Sequence, residues 1–218
     1  MVKTGKAVKR QYQSPLREGQ ATTTRTAVID SAGQLFAERG YAATSIEEIA
    51  RAAGVSRATV FTSVGGKPVL LKTAFDVAIV GDDEAVSLTN RPRSRLIRAE
   101  PDPRKYLSLY AELVTEMGGR LAPIAEAVRG AAGADADARS LWEAHLAQRR
   151  QGAANVVSDL LAKGARLRRH LDAAAAADLL WVLNDPGLYG HLVLRRGWTP
   201  SRFRIWLEDS MKRQLLSD

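Results

Sequence analysis

From Thr24 onward, apolar residues return every three or four positions. Val28, Ile29, Ala32, Leu35 and Phe36 make one such stripe, Ile46, Ile49 and Ala50 a second, Val60 and Val64 a third, and Leu71, Phe75 and Ala78 or Ile79 a fourth. This spacing places each set on one side of a helix, whereas strict alternation, the mark of a half-buried strand, is not sustained anywhere. The same period continues through Tyr106, Tyr110, Leu113 and Met117, with a shorter helix over 121–131, a long one over 136–162, and others over 171–184, 188–195 and 200–215. The pattern predicts an all-α protein: an N-terminal three-helix head followed by a C-terminal helical bundle. No internal repeat is present.

The helix ends are marked as clearly as the stripes. Ser45 with Glu48 three residues on is a capping box, in which each side chain serves the other's backbone N–H. Gly54 ends that helix, because glycine accepts a positive φ without steric cost, and Ser56 caps the next over Arg57–Val64. Gly65-Gly66 breaks the chain again, and Lys67-Pro68 opens a fourth helix reaching about Val80, with proline where its missing N–H is not needed. Residues 81–103 hold three prolines and alternating charge and read as an extended excursion with one helical turn, its four arginines between Arg91 and Arg98 offering a second phosphate contact. Domain limits follow: a basic arm without apolar content over 1–23, expected to be disordered, a head over 24–71 and a body over 72–218.

Two short helices about a tight turn are the frame of a helix-turn-helix, whose second helix must enter a major groove only about 12 Å wide. The outer positions of that helix, Ser56, Arg57, Ala58, Thr59, Thr62 and Ser63, are small or polar as the groove requires. Arg57 is its only cation, able to fork onto a guanine, and Thr59 and Thr62 can meet phosphate oxygens or a thymine methyl. Lys67 beside a helix N-terminus suits a phosphate. Charge agrees: the net charge is +8, and residues 1–72 hold 11 Lys and Arg against 5 Asp and Glu, a net of +6, leaving +2 for the rest. A basic excess gathered at one end fits a polyanionic partner, double-stranded DNA, and the arm could follow its minor groove.

Arg25, Ile29, Ala32, Leu35-Phe36, Gly40-Tyr41, Thr44-Ser45, Ile49-Ala50, Ala53-Gly54-Val55-Ser56, Thr59, Phe61, Lys67 and Leu70 resemble, in type and spacing, the N-terminal pattern of TetR-type (tetracycline-repressor-type) transcriptional regulators. The resemblance covers Arg25 to about Phe75. It implies a ligand-responsive DNA-binding regulator with Thr44, Ser45 and Phe61 added to the DNA-facing set, a homodimer on a dyad-symmetric operator, and release by a small effector. The sequence departs from that pattern at Ser63 and Val64, where the family carries a Tyr and a Phe, and Ser63 is too short to reach the phosphate a Tyr would touch. Ala58 and Pro68 also replace usual residues, without harm to a helix or to its first turn.

In the body, Tyr106, Tyr110, Met117, Trp142, His145 and Asn184 are candidates for the lining of a ligand cavity suited to a small, largely apolar effector. Leu180, Trp181, Tyr189, Leu192, Phe203 and Trp206 are candidates for a dimer interface, where the resemblance places it, in the last helices. Enzyme chemistry finds no support: there is no Walker loop, GxGxxG or HExxH, and His145, His170 and His191 stand at no metal-ligand spacing. No cofactor or metal is expected. Absence of cysteine excludes disulfides and thiolate sites and suits a cytoplasmic protein, and no apolar run approaches the roughly 18 residues of a membrane helix. An architectural DNA binder without an effector and a helical protein-interaction module remain the alternatives.

Overall fold

The computed structural model describes residues 15–217, with side chains from residue 19 onward. Among these residues the structure is helical, with a single isolated antiparallel bridge between Leu167 and Leu216. Three helices, α1 (Pro15–Arg39), α2 (Ile46–Ala52) and α3 (Arg57–Ser63), form the head, and α4 (Lys67–Val80) leads out of it. A 3₁₀ turn (Leu88–Asn90) and α5 (Pro92–Ala99) follow, then the long α6 (Pro103–Ala131) and α7 (Ala136–Ala162). The chain closes with α8 (Ala173–Leu183), α9 (Pro186–Tyr189), a π-helical segment over Gly190–Arg195, and α10 (Pro200–Leu215).

Several helix ends differ from the periodic reading. α1 begins at Pro15 instead of Thr24, so disorder does not extend over 15–23; residues 1–14 of the arm lie outside the described residues. Pro15 supplies a preset φ for a first turn, and that segment needs no apolar stripe because its side chains from Gly19 to Thr23 are mostly solvated. The helices expected on either side of residues 118–120 are one helix, α6, 29 residues long and carrying Pro123 inside it. Gly118 is there for space: a Cβ on it would stand 2.6 Å from Cδ2 of Tyr189, so only glycine lets α9 press against α6. The excursion over 81–103 contains the two-turn α5 instead of one turn.

Two cores result. The body core gathers Leu107 and Ala111 of α6, Val157 and Leu160 of α7, Leu180 of α8 and Phe203, Leu207 and Met211 of α10. The head core gathers Val28, Ile29 and Phe36 of α1, Ile49 of α2, Val60 of α3 and Leu70, Leu71 and Phe75 of α4. It also takes Leu121, Ile124, Ala125 and Val128 from the far half of α6 and Ala138 from α7, so packing runs across the expected limit at Leu71. α4 lies against α1, α6 and α7, and the Nε of Arg120 on α6 donates to the carbonyl of Ala78 near its C-terminus (3.2 Å).

Candidate functional site

The outer surface of the head is built by caps. Ser45 Oγ accepts from Glu48 N (3.2 Å), while Glu48 Oε2 accepts from Ser45 N and from Ser45 Oγ (2.9 Å each), and these last two bonds hold the Glu48 carboxyl below its usual range. Gly54 turns the chain at φ 68°, and Val55 N closes the turn on the Ala50 carbonyl (2.9 Å). Ser56 Oγ accepts from Thr59 N (3.1 Å), so α3 starts where the sequence places it. Val60 is fully buried beneath α3, while Arg57, Ala58, Phe61 and Thr62 lie exposed on it.

The exposed set is only lightly committed elsewhere. Arg57 pairs with Glu47 (2.8 Å), but both side chains are more than half exposed, and such a pair contributes little and yields readily to a better partner. Its guanidinium also sits 5.7 Å from the centre of the Phe61 ring, which is 45% exposed and packs into no core. Thr62 donates its hydroxyl proton to the carbonyls of Ala58 and Thr59 (both 3.1 Å). What Thr62 keeps are acceptor lone pairs, which match a base amino group better than a phosphate. Ser63 Oγ turns back to the Val60 carbonyl (3.2 Å). Lys67 lies at the start of α4 but leans on the Tyr41 ring (4.4 Å) and donates to Ala42 O (3.4 Å).

Thr44 requires a correction. It is 1% exposed, and its hydroxyl donates to the carbonyls of Gly40 (2.9 Å) and Leu35 (3.2 Å), so it fastens the α1–α2 turn and presents no side chain to DNA.

The body holds a half-open cavity of about 630 Å³ between α4, α6, α7, α9 and the segment 84–89. Its apolar wall includes Ile79, Val86, Leu113, Val114, Met117 and Phe203. Of the expected residues, Tyr110, Met117, His145 and Asn184 line it. Tyr106 does not: it is buried in the body core, with its hydroxyl on Asp159 Oδ2 (3.0 Å), and that burial and the Asp159 charge raise its pKa. Nor does Trp142, which packs against the head core and tilts toward His145.

The polar end of the cavity is a network. Arg149 on α7, its side chain 9% exposed, reaches Asp185 Oδ2 (2.8 Å), the Trp181 carbonyl (2.7 Å) and Asn184 Oδ1 (3.2 Å). Asn184 Nδ2 in turn donates to the Tyr110 hydroxyl (3.0 Å). One turn before Arg149, His145 is buried and edge-on to Phe75, with ring centres 4.9 Å apart. Burial, aided by the Arg149 charge and opposed by Asp185, pushes its pKa down to about 4, so the ring is neutral at physiological pH.

The residues not foreseen are charged. Arg149 and Asp185 belong to this network, and the sign available in the sequence was the Asp185-Pro186 stop facing an arginine-rich stretch of α7. Arg91 ties the cavity wall: it is bidentate to Asp82 (2.6 Å each) and donates to Val86 O (3.1 Å). Arg93 pairs with Glu112 and Glu116, while Arg95 and Arg98 donate to the carbonyls of Asn90 and Thr89. These arginines bond within their own protein, with Arg93, Arg95 and Arg98 still exposed to solvent. Arg25 of α1 donates to the Ser63 carbonyl (2.6 Å) at the end of α3 and pairs with Asp83, next to the cavity wall.

Three of the interface candidates are interior: Leu180, Tyr189 and Phe203 are 0%, 6% and 1% exposed, because the body core claims them. Trp181, Leu192 and Trp206 are partly exposed at its edge. Among the described residues no helix is long and apolar enough to cross a membrane, and no cluster of potential metal ligands occurs.

A capped helix-turn-helix on a helical body with a half-open cavity defines a DNA-binding transcriptional regulator of the one-chain, two-part kind. Residues 28–73 match the model of the bacterial regulatory proteins of the tetR family. No curated protein matches the sequence. Among solved structures, NalD, the secondary repressor of the MexAB-OprM multidrug efflux pump in Pseudomonas aeruginosa, is 25% identical over 92% of this chain and 99% of its own, with a TM-score of 0.66. A transcriptional regulator from Saccharomonospora viridis solved with choline (22% identity, 89% and 98% covered, TM-score 0.68) and FadR from Bacillus subtilis solved with stearoyl-CoA (16%, 85% and 96%, 0.67) share the fold.

Proposed function

We propose that this regulator is a cytoplasmic repressor that holds a dyad-symmetric operator as a homodimer and lets go when a small, largely apolar effector fills the cavity. Arg57 would read a guanine, with Ser56, Thr59, Phe61, Thr62 and Lys67 completing the contact with bases and backbone. A head of this size covers one half-site, so two must stand about 34 Å apart, or a multiple of it, on successive faces of the duplex. Exposed Val182 on α8 and Ile205 on α10, beside the partly exposed Trp181 and Trp206, offer the surface for pairing. Two proteins of this fold were solved with small molecules, choline and stearoyl-CoA, and NalD is a repressor, which supports an effector-controlled repressor here.

The single observation that carries the reading is Arg25, which touches both the carbonyl that ends α3 and the acid beside the cavity wall. A displacement of segment 82–89 by a ligand would be felt at the reading helix through one side chain, which is the differential contact that an allosteric release needs. Selection from random duplexes at near-physiological salt tests the reading, because phosphate binding is weak there and base readout survives. The expected result is an enriched inverted repeat that Arg57→Ala no longer enriches. Enrichment of bent or sequence-neutral duplexes would favour an architectural role, and no binding by folded protein a protein-interaction role.

A further inference from the structure

The cavity's polar end leaves hydrogen-bonding capacity unspent. Arg149 uses its two terminal nitrogens on Asp185, Trp181 and Asn184, yet its Nε is buried with no partner among the described residues. The same holds for Nε2 of His145, which is 4% exposed and belongs to the same cavity wall. Tyr110 accepts a bond from Asn184, so its own hydroxyl proton is free for another acceptor. Buried polar groups in native proteins are almost always paired, and an unpaired one is costly. Arg149 and Tyr110, linked to one another through Asn184, with His145 beside them on one cavity, mark the place where a ligand supplies the acceptor.

The charges decide what kind of acceptor. Asp185 already balances the Arg149 guanidinium, and it is itself fixed by the Gly187 N–H (2.7 Å). A ligand carboxylate here would compete with Asp185 for one cation, so that two carboxylates would share a single guanidinium. A ligand cation at this end would face the Arg149 guanidinium, whose one close carboxylate, Asp185, is already engaged, while Asp76 and Glu84 lie at the solvent-exposed rim. The remaining wall is apolar, and its volume lies in the range that holds drug-sized molecules. Resting on the reading of this cavity as the effector site, we propose that it takes an uncharged, largely apolar molecule with a carbonyl-type acceptor, a ketone, ester, lactone or amide, seated on Arg149 and Tyr110.

The test uses the full-length protein without DNA and three apolar skeletons, phenylalkyl, cyclohexylalkyl and naphthylalkyl. Each is supplied as methyl ketone, carboxylate, trimethylammonium salt and plain hydrocarbon, with affinities read by ligand-observed NMR titration. The ketone is expected to bind about tenfold or more tightly than its charged and hydrocarbon counterparts on at least one skeleton. Arg149→Lys, which keeps the charge but removes Nε, and Tyr110→Phe are each expected to erase that preference, while Tyr106→Phe outside the cavity keeps it. Equal or tighter binding of a carboxylate or ammonium, or no binding of any ketone, overturns the assignment. In a second measurement with the selected duplex added, ketone binding that leaves DNA binding untouched would uphold the cavity chemistry and sink the effector role instead.

Discussion

Head and body solve opposite problems with the same material. In the head, short helices of seven residues are fixed by caps and by one core, and Thr44, Ser45 and Ser56 all find partners. In the body, long helices stand apart around a void and leave His145 and Arg149 each with a buried atom unserved. A surface that reads another molecule gains from being finished before contact, because ordering costs nothing at the moment of binding. An interior that receives a ligand must instead keep both space and bonding capacity in reserve. Phe75 joins the two, buried in the head core with its ring meeting His145 at 88°.

The largest effect is therefore expected at that joint. Phe75→Ala should cost about 3–5 kcal/mol, the range for a fully buried aromatic, and urea unfolding followed by circular dichroism and by tryptophan fluorescence should shift together. If only one signal moves, head and body melt independently and the shared joint is ornamental.

Acid titration sharpens the contrast next. His145 is neutral in the fold down to about pH 4 but ordinary, near 6.5, when unfolded, so the unfolded chain binds the extra proton between those values. Stability from this source is complete above pH 6.5 and is lost as pH falls toward 4, up to roughly 3 kcal/mol. His145→Phe should flatten that part of the pH profile, measured as the difference in denaturant midpoints between variant and parent. Smallest is Ser56→Ala: loss of one cap should remove about 1 kcal/mol, seen as a Tm lowered by about 2–4 °C, with a weakened DNA contact because the first turn of α3 frays.

The sequence showed the head more fully than the body, for a physical reason. Caps, glycine turns and short stripes are local, and Ser45, Gly54 and Ser56 each carry their structural meaning within four residues. Thr44 misled because its place in the turn is set by carbonyls at Leu35 and Gly40, which periodicity does not register. In the body, meaning depends on distant partners. Gly118-Gly119 reads as a break until the Tyr189 ring is seen against it, and Arg149 reads as solvated charge until Asp185 arrives from another helix. Tyr110 and Asn184 were legible as polar groups in an apolar bundle, but the bond between them was not.

α6 belongs to both cores, its first half in the body and most of its second half, apart from Ala122, in the head. Anyone recombining this regulator with a different DNA specificity would meet that fact at the splice. A graft cut at Leu71 would bring a foreign α1 to Leu121, Ile124 and Val128, side chains shaped for another partner. Grafts that also carry the second half of α6 and the start of α7, or that exchange only the exposed positions of α3, keep the seam intact.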